Sequence, residues 1–464
     1  MRESSVSEAP LSFERRVGAA VSLATLQAWR RERTWVLVAA AVLLASGMAY
    51  TLWWAPVVYH VNEWLTPPDL WATFRDAHYV GWGSEGTVYD ANTSFVTFPG
   101  IAVLFAPLAM LQSGLHLSQS FPWYLAKPTA WYILGPADML CGAGILFPLD
   151  AVARRLGATR GQRIALTWLE AALVWPCVAL WGHPEDPLAL AFALAGLLAA
   201  HDRSWFRTGA FVGLAIVFQP LTLLVAPLAF AYVPKPRWIS VAGLAALPSA
   251  LLLLAPLIQQ WGPTTTALLK QPNDPLLNHP TPWLSLAPVL SARHWITVNA
   301  VHVKTLASGK KVLTTVSTRV LTGEIVASGP GRLVTLIGAF AIGYWAYRKR
   351  PALIHVAWLA SLALALRCVF ETVLDPYYFY PALALALVAA VPATRGRFAL
   401  VVLAGAACTR LTYSHFGPWP YYLSTIGTLA VALILAYPSS NDVTLESSSH
   451  SNPQRGDVVS PTST

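Results

Sequence analysis

The stretch PPDLWATFRDAHYVGWGSEGTVYDANTSFVTFPGIAVLFAP, residues 67–107, is the part of the chain around which the rest is organised. It places six ionisable side chains within 22 positions, and these are Asp69, Arg75, Asp76, His78, Glu85 and Asp90. Almost everything on either side is apolar, and only 11 % of the residues in the whole chain are charged. A chain with so little charge is expected to use some of the charge that it concentrates in one loop. We therefore interpret this loop as one half of an active site.

The composition indicates a polytopic membrane protein. Of the 464 residues, 55 % are hydrophobic, and the mean hydropathy is +0.51, which is too apolar for a soluble chain of this length. The 20 tryptophans and 16 tyrosines fit interfacial belts. The net charge of +9 does not indicate nucleic-acid binding, because the arginines lie in short clusters between apolar runs. The four cysteines have no paired spacing, so neither a disulfide framework nor a zinc site is predicted.

The basic clusters predict the topology. The first apolar run, Trp35 to Trp54, is long enough to cross a bilayer, and the arginine-rich segment 1–34 before it is placed in the cytoplasm by the positive-inside rule. The later basic clusters are all cytoplasmic only if the apolar run 96–112 does not cross. That run contains Pro99 and Pro107, and we interpret it as a helix lying in the outer interface.

The predicted fold class is thus an all-α polytopic membrane protein with about 12 transmembrane helices. Their predicted ranges are 35–54, 129–152, 163–181, 187–201, 207–219, 221–234, 238–258, 331–347, 352–370, 376–392, 397–413 and 420–437. The pair within 207–234 leaves two interpretations open, because Gln219-Pro220 is compatible with a kink in one helix and with a turn between two.

The predicted helices divide the chain into regions. These are the cytoplasmic N-terminal segment 1–34, a membrane module 35–258 that carries the first half of the site, a long extracytoplasmic loop 259–330, the C-terminal helices 331–437 and a tail 438–464. Within the long loop, residues 294–327 alternate Val, Thr and Ile with polar residues, which predicts a β-hairpin. The tail is rich in Ser, Asn and Asp and is predicted to be disordered and cytoplasmic.

Polar residues at the outer helix ends meet if the helices form one bundle. The candidate site residues are Asp76, Tyr79, His183, Glu185, Asp186, His279, Glu371, Asp375, Tyr377, Tyr378 and Tyr380. Carboxylates suit general-base work, histidine and arginine suit a phosphate, and tyrosines suit stacking. We predict Asp76 as the general base, with Asp69 and Asp90 as its competitors. Each single member is also compatible with a solvated loop position, and Asp186 with a cap of the next helix.

Several short motifs occur in a particular order. They are Asp76-Ala77-His78-Tyr79, Gly86-Thr87-Val88-Tyr89, Phe98-Pro99 with Pro107-Leu108-Ala109, Gly182-His183-Pro184-Glu185-Asp186, and Gly213-Leu214-Ala215 with Pro220. Over roughly residues 35–330 this order resembles the GT-C class of integral-membrane glycosyltransferases. It looks most like the bacterial branch that takes mannose from polyprenyl-phosphate mannose. Two positions depart from that pattern, since Gln219 stands where the family often has a lysine and Gly100 where it usually has a second proline.

The resemblance implies an inverting transferase at the outer face of a bacterial plasma membrane. It would move a sugar, mannose before other sugars, from a polyprenyl-phosphate donor to a lipid-linked or glycan acceptor of the cell envelope. No Asp-x-Asp motif accompanies the acid of the first loop, so neither a metal nor a cofactor is expected. The missing lysine leaves the donor-phosphate ligand open. Two other classes also stay open, namely a lipid or solute transporter and a non-catalytic scaffold for envelope assembly.

Overall fold

The computed structural model of the chain describes residues 32–54, 67–91, 95–118, 129–273, 279–291, 294–305, 311–322, 325–326, 330–414 and 417–439. Most of the predicted N-terminal segment and nearly all of the predicted tail lie outside these residues. The side chain of Asp90 also lies outside the described part.

Helices make up most of the described chain. In chain order they are α1 (Thr34–Ala49), α2 (Pro68–Gly81), α3 (Val88–Ala91), α4 (Gly100–Gly114), α5 (Trp131–Gly144), α6 (Leu146–Arg155), α7 (Arg160–Pro176), α8 (Glu185–His201), α9 (Trp205–Phe218), α10 (Ala226–Ala229), α11 (Trp238–Gln259), α12 (Trp261–Thr265), α13 (Pro330–Lys349), α14 (Leu353–Phe370), α15 (Tyr380–Ala390), α16 (Arg395–Thr412) and α17 (Pro418–Ala436). π-Helical turns continue α1 through Tyr50–Trp54 and α7 through Cys177–Trp181, and a 3₁₀ turn, Pro376–Phe379, leads into α15.

Antiparallel strand pairs connect the long loop to itself and to the segment before α15. The pairs are β1 (Pro272–Asn273) with β5 (Ile325–Val326), β2 (His279–Pro280) with β6 (Val373–Leu374), and β3 (His294–Thr305) with β4 (Lys311–Thr322). The turn between β3 and β4 lies outside the described residues, so the predicted β-hairpin stays a prediction. The β2–β6 pair holds the loop against the segment that leads to α15.

The predicted class of all-α membrane protein agrees with the helices. Within the described residues, six helices are long and apolar enough to cross a bilayer, and they are Thr34–Trp54, Trp131–Arg155, Arg160–Trp181, Lys235–Gln259, Leu353–Phe370 and Pro418–Ala436. Shorter apolar helices cover Gly100–Gly114, Trp205–Phe218 and Pro376–Ala390. The number of 12 spans stays a prediction.

The predicted span 221–234 is wrong as a helix. Helix α9 ends at Phe218, and Gln219 is extended, with φ −146° and ψ 110°. Only a short turn, Pro220–Leu224, and the four residues of α10 come after it. A proline disfavours the helical conformation in the residue before it and cannot donate a backbone hydrogen bond, so Pro220 separates α9 from the short turn and α10.

Helix α15 lies at the centre of the bundle. All eleven of its residues are buried, because α7, α14, α16 and α17 pack around it. Its sequence, YPALALALVAA, is apolar on every side, which is the pattern of a helix without a solvent face. The segment before α15 is thereby fixed against the neighbouring helix ends.

A second core joins the first loop to the bundle. Helix α2 packs along α4, and Leu70 and Phe74 of α2 are buried with Ile101 and Phe105 of α4. Helix α4 covers most of the run 96–112 for which an interfacial helix is predicted. Its position relative to a membrane stays a prediction.

Arginines of two predicted cytoplasmic segments meet at one end of the bundle. Arg163, at the start of α7, donates to both oxygens of Asp150 at 2.8 and 2.6 Å, and Arg33 Nε lies 3.7 Å from the same carboxylate. From Arg160 to Trp181 the helix runs for 22 residues, or about 33 Å. The loop after Trp181 therefore lies at the end opposite these arginines.

Candidate functional site

His183 is the centre of a polar cluster at this opposite end. Its Nδ1 lies 2.7 Å from Glu185 Oε1, and its Nε2 lies 3.1 Å from Asp69 Oδ2. The side chain of Asp69 is 50 % exposed, whereas that of Glu185 is buried. The imidazole thus connects a carboxylate at the surface to one inside the protein.

A glycine makes this contact between distant segments possible. Gly182 has φ +76°, the left-handed conformation that favours glycine. A Cβ at this position would lie 2.7 Å from the Cβ atoms of both Pro67 and Leu70. The loop therefore rests directly on the start of α2, which brings His183 within reach of Asp69.

A row of aromatic rings continues from the imidazole. His183 stacks on Tyr377 with ring centroids 3.8 Å apart and an interplanar angle of 21°. Tyr377 meets Tyr378 edge-on at 4.9 Å, and the guanidinium carbon of Arg367 lies 3.7 Å from the ring centroid of Tyr378. These contacts form one continuous path from Asp69 to Arg367.

Two arginines end the path on a shared carboxylate. Arg367 Nε donates to Glu371 Oε2 at 3.2 Å, and Arg332 donates to Glu371 Oε1 from Nε at 3.0 Å and from its terminal nitrogen at 2.9 Å. Arg332 also donates to the side chain of Gln271. Two guanidinium groups on one carboxylate leave one surplus positive charge in this group. We call the contact path Asp69, His183, Tyr377, Tyr378, Arg367, Glu371 and Arg332 the polar row.

Asp186 lies beside the polar row. Its Oδ1 accepts a hydrogen bond of 2.8 Å from Gln219 Nε2, and it interacts electrostatically with Glu185, His183 and Arg367. Gln219 thus binds a carboxylate of the protein itself.

Burial and neighbouring charges shift the pKa values of His183 and Asp375, which lie outside the membrane-spanning segments. Burial lowers the pKa of His183, but the carboxylates of Glu185 and Asp69 outweigh burial and raise that pKa well above its ordinary value. His183 is therefore predominantly an imidazolium near neutral pH. Burial raises the pKa of Asp375 to about 6, although the His183 charge and a hydrogen bond from Tyr378 act in the opposite direction.

The structure brings together some of the residues predicted from the sequence. His183, Asp186, Tyr377 and Tyr378 lie in or beside the polar row. His279 stacks on Tyr421 at 4.3 Å, and Tyr421 interacts electrostatically with Asp375. His279 is thus at the edge of the same region.

Asp76 and Tyr79 lie further along α2. Asp76 is seven residues, or about two turns, from Asp69 and thus on the same helix face. It is 0 % exposed and interacts electrostatically with Tyr89. Tyr79 is partly buried and packs against the second core. The assignment of Asp76 as general base stays a prediction from the sequence.

Three charged residues of this region were missed by reasoning from the sequence. Arg332 and Arg367 hold Glu371, and Asp138 is fully buried near Glu185 and His183. For Arg367 and Asp138 a signal existed, because each is a lone ionisable residue inside an apolar run. Arg332 comes after Pro330-Gly331 at the start of α13 and looks like an ordinary helix-end charge.

A large apolar cavity lies between the helices. Its volume is about 630 Å³, and side chains of α9, α11 and α13 line it together with Phe98 and Phe230. It reaches Tyr347 near the basic end of α13, and the residues around it are almost entirely apolar. It therefore suits a hydrocarbon chain.

Comparison of the chain with protein-family models, with curated proteins and with solved structures gave no match.

Proposed function

We propose that the protein is a polyprenyl-phosphate-sugar-dependent glycosyltransferase of the GT-C type. It transfers a sugar, mannose before other sugars, to a lipid-linked or glycan acceptor of the cell envelope, with inversion. The observation that carries the proposal is the polar row, which has a half-exposed carboxylate at one end and a surplus positive charge at the other.

The carboxylate end suits activation of the acceptor. A carboxylate within hydrogen-bond reach takes the proton of an acceptor hydroxyl while the oxygen forms its bond to the anomeric carbon. Asp69 is exposed enough to meet such a hydroxyl, and His183 fixes its orientation. Asp76 on the same helix face is fully buried, so the geometry favours Asp69 as the base.

The cationic end suits the leaving group. When the bond from the anomeric carbon to the phosphate oxygen breaks, its electron pair stays on the phosphate. Arginine binds such oxygens with charge-assisted hydrogen bonds, and Arg332 and Arg367 supply them without the lysine that is missing at position 219. Tyr377 and Tyr378 lie between the two ends and connect them through their ring contacts with His183 and Arg367.

The remaining features agree with a lipid-linked donor. The apolar cavity of about 630 Å³ offers space for an isoprenoid chain between the helices. The polar row lies opposite the arginine cluster of Arg33 and Arg163. The positive-inside rule then favours the extracytoplasmic side of a plasma membrane for the site.

A transfer assay in proteoliposomes tests this function. The purified protein is reconstituted with radiolabelled polyprenyl-phosphate mannose and a membrane-lipid extract as acceptor source. We expect label in a new glycolipid or glycan, and no such product with Asp69→Asn at equal protein content. If no polyprenyl-phosphate sugar yields a product, although the protein is folded and binds the donor, the proposal fails.

A transporter of lipids or solutes is the second candidate. The observation in its favour is that ionisable groups are buried within apolar helices, as in proton-coupled carriers. Glu170 in α7 accepts a hydrogen bond of 2.8 Å from Tyr380 in α15, and Asp138 is buried in α5. The same proteoliposomes separate the candidates, because a transporter moves the labelled lipid across the bilayer without changing it chemically.

A further inference from the structure

Two aspartates on the consecutive helices α5 and α6 are equally buried, but only one of them has hydrogen-bond partners. Asp138 in α5 and Asp150 in α6 are both 0 % exposed. Asp150 accepts two hydrogen bonds from Arg163 and faces Arg33. For Asp138, no donor within the described part of the chain hydrogen-bonds to either carboxylate oxygen. The two residues therefore form a natural pair for comparison.

Asp138 faces the buried side of the His183 cluster. Helix α8, which begins with Glu185, packs against α5, and Asp138 interacts electrostatically with Glu185 and His183. Glu185 binds His183 through Oε1, whereas its Oε2 is also buried and has no hydrogen-bond partner among the described residues. Unsatisfied carboxylate oxygens of two neighbouring helices thus lie behind one imidazole.

The chemistry of such oxygens points to a proton. An ionised carboxylate that is buried without a donor or a counter-ion is strongly disfavoured, and the group becomes neutral by binding a proton. Within the described residues, no group of three or more metal-ligating side chains is arranged for a metal ion. The ligand that satisfies Asp138 with the fewest further requirements is therefore H⁺.

We propose that Asp138 is a proton-binding site, and that the proton reaches it from the surface through Asp69, His183 and Glu185. Asp69 is half exposed and lies 3.1 Å from His183 Nε2, and His183 Nδ1 lies 2.7 Å from Glu185. An imidazolium between two carboxylates gives up its Nδ1 proton to Glu185, and a turn of the ring then presents the bare nitrogen to Asp69 for a new proton.

The transfer is balanced at every step. One proton leaves His183 Nδ1 for Glu185, and the ring, which keeps its Nε2 proton, then turns so that its bare nitrogen takes a new proton from Asp69. Glu185 and Asp138 are not hydrogen-bonded to each other in this arrangement, so the protonated Glu185 side chain must first turn toward Asp138 and then gives it the proton. One proton has then moved inward, and nothing is oxidised or reduced. The site is independent of sugar transfer, since it requires neither donor nor acceptor.

The groups around the relay are few. His183 faces Asp69, Glu185 and Tyr377 directly, and it interacts electrostatically with Asp138, Asp186 and Asp375. Asp138 also faces the thiols of Cys141 and Cys177. A change in any of the carboxylates around His183 therefore alters how firmly the imidazole holds its protons.

Infrared difference spectroscopy on the reconstituted protein tests the site itself. The carbonyl stretch of a protonated carboxyl group is separate from that of a carboxylate. We expect Asp138→Asn to remove such a band at neutral pH, whereas Asp150→Asn removes none. If Asp138→Asn removes no protonated band, the proton-binding site does not exist. If sodium ions remove the band from the wild type, the site holds a monovalent cation instead, and the proposal is wrong.

Hydrogen–deuterium exchange of the same band tests the relay. After transfer to D₂O, the band shifts at the rate at which surface protons reach Asp138. We expect His183→Phe to slow this shift by about 10²-fold, the usual gain from a positioned proton-transfer group. Glu185→Gln, which keeps the shape of the side chain, serves as a second variant for the same step. His201→Phe, at the other end of α8, is the control and should exchange like the wild type. Equal rates in wild type, His183→Phe and Glu185→Gln would show that the proton uses another route.

Discussion

The imidazole of His183 lies almost flat on the ring of Tyr377, with the two centroids 3.8 Å apart. This contact joins the loop before α8 to the turn before α15, the central buried helix. Because α15 is enclosed on all sides, Tyr377 is held in place. Tyr377 in turn positions His183 and the two carboxylates that contact it. This stacked pair therefore joins the carboxylate end of the polar row to the tyrosines that lead to its cationic end.

The loop geometry at Gly182 gives the first prediction. Gly182→Ala should lower the melting temperature clearly, because it adds left-handed strain of about 1–2 kcal/mol to a clash with Pro67 and Leu70. The measurement is thermal unfolding of the purified protein in detergent. Gly83→Ala is the matched control, since Gly83 has φ +73° but no atom within 4 Å of its Cβ position. Equal losses in the two variants would mean that strain alone matters and that the contact with α2 contributes nothing.

The charge on His183 gives the second prediction. The folded protein raises the pKa of His183, so folding favours the imidazolium. The stabilisation is complete below the unfolded pKa of about 6.5 and disappears as the pH rises through the folded pKa. At neutral pH, His183→Phe should cost about 3–5 kcal/mol, because it leaves buried Glu185 without its partner.

Melting temperatures measured from neutral to alkaline pH test whether the stabilisation by His183 falls as the pH rises. The melting temperature of the wild type should exceed that of His183→Phe by less and less as the pH rises. Glu185→Gln and Asp69→Asn each remove a carboxylate that raises the pKa of His183. In either background, the stabilisation by His183 should therefore be lost at a lower pH than in the wild type. A difference that stays constant, or that widens with rising pH, would contradict the charge assignment.

The shared carboxylate Glu371 gives the third prediction. Arg332→Met removes the surplus positive charge and leaves Arg367 alone with Glu371. Binding of polyprenyl phosphate should weaken by about 1.5–3 kcal/mol, the usual contribution of a hydrogen bond to a charged group. Titration calorimetry in detergent measures this loss.

The control for Arg332 is an arginine at the other end of the bundle. Arg155 donates to Asp202 at 2.6 Å and lies far from the polar row. Arg155→Met should therefore leave the affinity for polyprenyl phosphate unchanged. If both variants bind the lipid like the wild type, the phosphate is held elsewhere.

The sequence predicts the apolar helices better than it predicts the side-chain partners. Hydropathy is a local property, so α1, α7 and α14 are visible as runs of apolar residues. The break at Pro220, where the predicted span 221–234 fails, is also a local feature. The sequence alone does not decide whether the proline kinks one helix or ends it. Partner choice depends on the fold instead, since His183 and Asp69 are 114 residues apart and Arg332 and Glu371 are 39 apart. No spacing rule connects such residues before the helices are packed.

The last prediction decides which carboxylate of α2 acts on the acceptor. Asp69 and Asp76 share one face of the helix, but Asp69 is half exposed and Asp76 is fully buried. A general base must touch the hydroxyl that it deprotonates, so Asp69→Asn should lower kcat by about 10²–10⁴, the usual range for such catalysis. Donor binding should be retained, because the arginines are untouched. Asp76→Asn should affect the melting temperature more than the rate, since its carboxylate is inside the protein. Transfer rates and donor affinities of both variants, measured at equal amounts of folded protein, separate the two roles.

If Asp76→Asn is inactive but stable while Asp69→Asn turns over normally, the assignment made from the sequence is correct and α2 must shift during catalysis to expose Asp76. If both variants retain full activity, the base does not lie on α2.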